Sequence, residues 1–287
     1  MMTIKTAIAQ LVQALAPLYD ARESRSIADL YLQHLTSMRR IDLLVYSDRE
    51  LDAAQQESLA TDLPRLAAAT PLQYVLGEAW FGTLQLEVNP AVLIPRPETE
   101  ELCEWITASV KETGNENSTI LDIGTGSGCI PLYLKQQLPG ATVSAWDISV
   151  EALDTARRNA LRNHLEVAFE LKDALQPGTL SANQYDVIVS NPPYITLAEK
   201  TQIHANVLDH EPHLALFVTN NDPQQFYKAV HQVAQTALRP GGLLFFETHA
   251  DFGADTETML RDTAAYTEVA LRNDMHGNPR MIRAIKK

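Results

Sequence analysis

The sequence predicts an α/β fold with a Rossmann-like parallel sheet, preceded by a small helical bundle. From Thr119 onward, strand-like and helix-like segments alternate, which is typical of right-handed βαβ units with helices on both faces of a sheet. Runs such as "VIVS" and "LLFF" are apolar on both faces, as buried parallel strands require. The first ~65 residues instead carry apolar stripes at helical spacing, which indicates a separate helical domain.

The amino-terminal stripes predict two longer helices, and the segments "IDLLVYS" and "ELDAAQQESLATDL" predict shorter ones. The stripes comprise Ile4, Ile8, Leu11, Leu15 and Leu18, followed by Ile27, Leu30, Tyr31, Leu35 and Met38. Residues 71–97 change character, because prolines and glycines there punctuate short strand-like runs. We therefore predict an N-terminal helical domain over 1–70, a β-hairpin linker over 71–97 and an α/β domain over 98–287.

Within the α/β domain the elements follow in turn, and the last two strands are joined only by a turn, so one of them should be antiparallel. The predicted strands are "TILDI", "ATVSAWD", "VAFELKD", "YDVIVS", "LLFFET", "TEVALRND" and "RMIRAIK". The predicted helices are "GCIPLYLKQQL", "VEALDTARRNALRN", "PQQFYKAVHQVAQTAL", which "RPGG" ends, and "DTETMLRDTA".

Composition limits the function classes. The 287 residues carry a net charge of −13, which argues against a protein that grips nucleic-acid backbone over a large area. The two cysteines, Cys103 and Cys129, give neither a disulfide framework nor metal-ligand spacing, so we expect reduced thiols and no metal. Without a signal peptide or a long apolar run, we expect a cytoplasmic protein that does not enter a membrane.

A glycine-rich loop follows the first strand of the α/β domain. "LDIGTGSGCI" places Gly124, Thr125, Gly126, Ser127 and Gly128 at the carboxyl end of that strand, where ligands bind in open α/β sheets. Glycines allow a sharp turn and a close approach of the backbone to a ligand. The loop is therefore a candidate cofactor cradle.

Acidic residues end the next two strands. Asp147 could accept hydrogen bonds from both ribose hydroxyls of a nucleoside-containing cofactor. Asp173 could reach the adenine edge, and Ala174 could line the ring or offer its backbone NH. The GxGxG spacing differs from the dinucleotide fingerprint GxGxxG and favours S-adenosylmethionine over a dinucleotide.

The fourth strand ends in Asn191, Pro192, Pro193 and Tyr194, at the same predicted sheet edge. Proline restricts the backbone before it and within it, so the turn should be rigid. The Asn191 side-chain oxygen and the Pro192 carbonyl could accept two hydrogen bonds from an NH2 group, and Tyr194 offers a flat face. This predicts methyl transfer to a planar amino group, with Asn191, Pro192 and Tyr194 as catalytic residues.

Several segments, in order, resemble the HemK/PrmC family, the glutamine-N5 methyltransferases of class 1 peptide release factors. They are "PLQYVLGEAWFG", "VLIPRPETEEL", "LDIGTGSGCI", "NPPYI", "HEPHLALF" and "GNPRMIRA". The resemblance implies a seven-stranded S-adenosylmethionine-dependent methyltransferase fold. It also implies a helical N-terminal domain and methylation of the glutamine in the release factor's Gly-Gly-Gln loop. We further expect that the helical domain binds the release factor and that the protein is a monomer without direct nucleic-acid contact.

By the same resemblance, Gly124 to Gly128 and Asp147 bind the donor, and Asn191 to Tyr194 bind the glutamine, with Asn191 also near the donor. Many relatives carry a larger residue where this chain has Ala174. Two interpretations of Arg96 and Glu98 to Glu100 stay open: a helix start with favourable acids, or a wall over the donor. Glu211 reads as structural.

Other functions remain as alternatives at this point. A nucleic-acid amino-methyltransferase of the adenine N6 type could use the same Asn-Pro-Pro-Tyr corner on a flipped base, but it would favour a basic groove. A non-catalytic scaffold that binds a partner would not require the glycine loop together with Asp147.

Overall fold

The computed structural model describes residues 2–287. Two compact units are present: one extends to Gly77 and also includes His204–His210, and the other comprises Glu78–Ile203 and Glu211–Lys287. The boundary between the two units lies after Gly77. The predicted division into domains 1–70, 71–97 and 98–287 stays a prediction. None of the helices in residues 2–287 is long and apolar enough to cross a membrane.

The smaller unit is a bundle of helices around one apolar core. Its helices are α1 (Ile4–Leu15), α2 (Ala21–Thr36), α3 (Arg40–Val45), α4 (Ala53–Ala67), α5 (Leu72–Leu76) and a short turn at Ala205–Leu208. Side-chain caps begin the longer helices: Thr3 and Thr6 form a capping box at α1, and Asp20 caps α2. Such caps satisfy the free backbone NH groups of a first turn.

The predicted stripes match this core with exceptions. Ile4, Ile8, Leu11 and Leu15 are buried in it, whereas Leu30 is 51% exposed. The predicted apolar stripe on α2 was therefore wrong at Leu30, and the neighbouring residues Tyr31 and Leu32 are buried instead. The helix α5 was not predicted, because five residues are too few to show a helical period.

The larger unit begins with a hairpin and a long helix and continues as alternating strands and helices. Its strands are β1 (Glu78–Phe81), β2 (Leu84–Glu87), β3 (Thr119–Ile123), β4 (Thr142–Asp147), β5 (Ala168–Leu171), β6 (Tyr185–Ser190), β7 (Leu238–Glu247), β8 (Tyr266–Asn273) and β9 (Pro279–Lys286). Its helices are α6 (Pro97–Thr113), α7 (Cys129–Gln137), α8 (Val150–Arg162), α9 (Gln225–Ala237) and α10 (Gly253–Asp262). The predicted order of strands and helices is confirmed.

Between β6 and α9 the chain forms short elements that the sequence pattern did not predict. They are a two-residue strand (Ile195–Thr196), a 3-10 helix (Leu197–Gln202), a helical turn (His213–Leu216) and a second two-residue strand (Phe217–Val218). The two short strands pair in parallel.

Within residues 2–287 the large sheet has seven strands in the order β8-β9-β7-β6-β3-β4-β5. The strand β9 is antiparallel to both β7 and β8, and the other pairs are parallel, so the prediction of one antiparallel strand is confirmed. Apolar clusters cover both faces of the sheet, as the fold class requires.

The strand β7 begins earlier than predicted. "RPGG" was expected to separate helix and strand, but the strand already starts at Leu238. The pairing with β6 shifts there, from Tyr185 opposite Leu238 to Val187 opposite Leu243. The extra residues bulge out of the register, and Gly241 at φ +76° provides the left-handed conformation that the bulge needs.

Candidate active site

The glycine loop links the end of β3 to α7. Gly124, Gly126 and Gly128 have φ values of 80°, 54° and 82°, in the left-handed region that favours glycine. The backbone NH groups of Gly124 and Thr125 both donate to the carbonyl oxygen of Trp146, at 2.9 and 3.0 Å. The loop is thereby tied to the end of the neighbouring strand β4.

Asp147, the last residue of β4, faces this loop. Its Oδ2 accepts from the Gly126 NH at 2.8 Å, and its Oδ1 accepts from the Ser149 NH at 2.9 Å. Burial raises the pKa of Asp147 above its ordinary value, and these NH donors partly offset the rise. Because each carboxylate oxygen can accept a further hydrogen bond, Asp147 retains acceptor capacity for hydroxyl groups of a ligand.

Asp173 and Ala174 follow β5, one strand further along the same edge. The Asp173 Oδ1 accepts from the Leu175 NH at 2.8 Å, which forms a local turn. Beside it, the Lys172 ammonium lies 4.2 Å from the centre of the Trp146 ring. The turn places Asp173 and Ala174 at the rim of the sheet.

The Asn-Pro-Pro-Tyr corner lies on the same rim as the glycine loop. The strands β3 and β6 are adjacent and parallel, with Ile123 opposite Ser190, so the residues that follow both strands leave the sheet together. The Ser190 hydroxyl also donates to the Ile123 carbonyl at 2.6 Å. Asn191 therefore begins next to Gly124, as the carboxyl-edge rule predicts.

One cavity of about 440 Å³ joins these residues, a volume in the range of small-molecule sites. Among the residues that were predicted to form the site, its lining includes Gly124, Thr125, Gly126, Ser127, Asp147, Asp173, Ala174, Asn191, Pro192 and Pro193. Gly128 and Tyr194 do not line it in the described part of the chain.

Tyr194 packs beneath the corner. Its ring meets the His249 ring edge-on, with 5.7 Å between the ring centres, and it contacts the apolar cluster on one face of the sheet. Burial, aided by the nearby Glu247 charge, raises the pKa of Tyr194 well above its ordinary value. The phenol therefore stays neutral at physiological pH.

A second wall of the cavity comes from segments far apart in the chain. Arg96 forms an ion pair with Glu211, and the other Glu211 oxygen accepts from the Ile94 NH at 3.2 Å. Arg96 and Pro212 both line the cavity. The pair thus links "IPRPETE" to "HEPHLAL" and supports the interpretation of Arg96 as part of a wall.

Behind the corner lies a buried polar pair that the sequence reasoning missed. The Thr99 hydroxyl donates to Glu247 Oε2 at 2.6 Å, and Asn191 Nδ2 donates to Thr99 Oγ1 at 3.4 Å. Burial raises the pKa of Glu247 to about 7. In the sequence, the only available signal was the acid at the end of the strand "LLFFE".

Asp122 is a second buried acid, one residue before the end of β3, and it is fully buried. Burial raises its pKa to about 7, although the nearby Thr125 hydroxyl favours the charged form. Asp122 thus lies next to the glycine loop, and its carboxyl group changes from neutral to charged as the pH rises through about 7.

Outside the cavity, Glu199, His249 and Asp251 have potential ligand atoms within 4.8 Å of one another. The His249 Nε2 and Glu199 Oε1 atoms lie 3.1 Å apart, within contact distance of each other. We assign this cluster no metal.

Two family models match the chain: the PrmC N-terminal domain over residues 6–77 and the methyltransferase small domain over residues 104–215. Among solved structures, a methyltransferase from Pyrococcus furiosus aligns with a TM-score of 0.50 at 17% identity, covering 82% of this chain and 99% of that one. A 16S rRNA N2 methyltransferase from T. thermophilus, in complex with AdoMet and guanosine, aligns with a TM-score of 0.51 at 17% identity, covering 73% and 50%. At these identities the structures support the fold alone, and they agree with the predicted seven-stranded fold.

Full-length relatives are more specific. The release factor glutamine methyltransferase of Flavobacterium psychrophilum is 43% identical over 283 residues, covering 98% of this chain and 99% of that protein. The protein of the same name from Bacteroides thetaiotaomicron is 40% identical, covering 96% and 98%. The resemblance to the HemK/PrmC family is confirmed, and the chain belongs to the release factor glutamine methyltransferases.

Proposed function

We propose that this enzyme transfers a methyl group from S-adenosylmethionine to the side-chain amide nitrogen of the glutamine in the Gly-Gly-Gln loop of class 1 release factors. The observation that carries the proposal is the shared rim. Asn191 and Gly124 follow adjacent parallel strands and line the same cavity. Family membership supports the protein substrate and does not favour the alternative of a nucleic-acid amino-methyltransferase.

The residues around the glycine loop fit S-adenosylmethionine as donor. The left-handed glycines provide a cradle without side chains, and Asp147 can accept from the ribose hydroxyls. Asp173 and Ala174 would lie along the adenine. The proposed donor residues are Gly124, Thr125, Gly126, Ser127, Gly128, Asp147, Asp173, Ala174 and Asn191, with Gly128 acting through the shape of the loop.

When bound, S-adenosylmethionine supplies an electrophilic methyl group on a positively charged sulfur. The positive charge disperses as the methyl leaves, so a water-poor apolar environment favours the reaction. Val92, Leu93, Leu214 and Phe226 provide such a lining.

On the acceptor side, Asn191 Oδ1 and the Pro192 carbonyl would accept hydrogen bonds from the glutamine NH2 group. An amide nitrogen is a poor nucleophile because its lone pair is shared with the carbonyl. Acceptors outside the amide plane favour a pyramidal nitrogen whose lone pair points at the methyl carbon. Holding the nitrogen in this orientation next to the methyl carbon reduces the entropic cost of bringing the reacting atoms together, a contribution of up to ~7–11 kcal/mol in favourable systems.

The rest of the corner supports these acceptors. Pro193 would keep the turn rigid, and Tyr194 would act from beneath it, where its ring packs against His249. No general base is needed, because the amide proton becomes acidic once the nitrogen is alkylated.

We infer that the helical unit binds the release factor and that the enzyme acts as a cytoplasmic monomer without direct nucleic-acid contact. The match of residues 6–77 to the PrmC N-terminal domain supports a family-specific role for this unit. The helix α3 exposes apolar side chains that suit a protein partner, namely Ile41, Leu44 and Val45. The net charge of −13 would favour a basic partner surface.

Radiolabelled S-adenosylmethionine tests the proposal. We expect label on a class 1 release factor and none on a matched release factor whose loop glutamine is replaced by alanine. Label on DNA or RNA with none on the release factor would refute the proposal and favour the nucleic-acid alternative.

A further inference from the structure

The buried pair Thr99 and Glu247 has no part in the methyl-transfer scheme above. Thr99 is 2% exposed and Glu247 is 1% exposed, and they lie on α6 and at the end of β7. Their hydrogen bond of 2.6 Å is followed by the 3.4 Å contact from Asn191 Nδ2 to Thr99 Oγ1. The pair therefore reaches the acceptor corner from the side of the protein interior.

The supply of protons fixes the direction of this chain of hydrogen bonds. An ionised carboxylate only accepts, so the single hydroxyl proton of Thr99 must go to Glu247. The Thr99 oxygen can then only accept, and the NH2 end of the Asn191 amide turns towards it. The Oδ1 end of Asn191 is left for the cavity that this residue lines.

We propose that Thr99 and Glu247 are positioning residues, which orient the Asn191 amide so that its oxygen faces the substrate's NH2 group. The inference rests on the proposed function, because it specifies how the acceptor corner is kept in its active orientation. A buried network of side-chain hydrogen bonds is well suited to hold one rotamer of an amide.

Protonation of Glu247 reverses the arrangement. A neutral carboxyl group can donate to Thr99 Oγ1, which frees the hydroxyl proton for the oxygen of a turned Asn191 amide. The NH2 end of Asn191 would then face the substrate's NH2 group, donor against donor. Acid should therefore switch off the acceptor corner.

The surroundings of Glu247 place this switch near neutrality. Burial raises its pKa to about 7; the Thr99 hydrogen bond and the charges of Arg280 and Arg96 favour the ionised form, and Glu98 opposes it. Two phenols, Tyr194 and Tyr227, and two thiols, Cys103 and Cys129, also interact electrostatically with Glu247. All four remain neutral, since burial raises their pKa values. The single-turnover rate should thus fall as the pH drops through about 7.

Three variants test the inference: Thr99→Val removes the hydroxyl, Thr99→Ser retains it, and Glu247→Gln supplies a permanent NH2 donor. We expect Thr99→Val to lower the single-turnover rate roughly 10–100-fold, as for other supporting hydrogen-bond partners. Thr99→Ser should restore it. Glu247→Gln should be slow at every pH and lose the fall in rate on acidification, because its amide mimics the protonated acid.

A second readout is independent of activity. The side-chain amide NMR signals of Asn191, identified by their loss in Asn191→Ala, should shift with a midpoint near pH 7 in the parent enzyme and not in Glu247→Gln. Parental rates and pH profiles in Thr99→Val and Glu247→Gln would overturn the inference, as would unshifted Asn191 signals. A parent enzyme that methylates no release factor would instead refute the proposed function, while the NMR titration still decides the inference.

Discussion

Removing the Arg96 side chain should destabilise the larger unit more than removing an exposed arginine. The Glu211 side chain is 1% exposed, whereas that of Arg96 is 34% exposed. In Arg96→Ala the Glu211 carboxylate stays buried and loses its cationic partner, while the Ile94 NH still donates to it. Breaking a buried pair in this way typically costs about 3–5 kcal/mol.

Water that reaches the partly exposed site of Arg96 should reduce this cost. We expect a loss of about 2–3 kcal/mol, between the values for exposed and fully buried pairs. For a unit of this size, that corresponds to a fall in Tm of roughly 5–10 °C. Thermal unfolding monitored by circular dichroism measures it.

The matched control is Arg158→Ala. Arg158 pairs with Glu87 through several hydrogen bonds, but the two side chains are 49% and 36% exposed, so the loss should stay below about 1 kcal/mol. In the double variant Arg96→Ala/Glu211→Gln, part of the stability should return because no charge is left buried. Equal Tm values for the Arg96→Ala and Arg158→Ala enzymes would refute the reasoning.

Three further changes have defined outcomes. Asp122→Asn should stabilise the protein increasingly as the pH rises. In the parent, the pKa of Asp122 is about 7 in the folded state and 3.8 in the unfolded state, so ionisation favours the unfolded state. The resulting loss of stability develops between these two pH values and reaches roughly 4 kcal/mol above pH 7, and the variant lacks it. Equal pH dependence in urea unfolding would contradict this. Gly128→Ala places a methyl 3.1 Å from the Ala156 Cβ at a φ of 82° and should cost about 1–2 kcal/mol in the same assay, whereas parental stability would show that the loop relaxes. Asp147→Ala should weaken S-adenosylmethionine binding at least about tenfold by titration calorimetry, and unchanged affinity would remove it from the site.

The sequence predicted the features of this protein that depend on local pattern. The alternation from Thr119 onward is sufficient for a parallel sheet, and the carboxyl-edge rule then places Gly124 and Asn191 on one rim. Both were readable because each lies directly after an apolar run. The predicted roles of the site residues remain predictions.

Contacts between distant parts of the chain could not be read in this way. Arg96 and Glu211 are 115 positions apart, and Thr99 and Glu247 are 148 apart, so no local period links them. Thr99 lies in the first turn of α6, where a threonine is also expected for a purely structural role. Glu211 lies in a segment of short elements that have no helical or strand periodicity. Only the folded sheet reveals which of these side chains meet.

The single-turnover rate of Asn191→Ala on a release factor, measured with saturating S-adenosylmethionine, tests the acceptor corner most directly. We predict a loss of about 100-fold or more, equivalent to ~2.7 kcal/mol of transition-state stabilisation, with donor affinity largely retained. A rate close to that of the parent enzyme would contradict the assignment of Asn191 as the acceptor of the glutamine NH2 group.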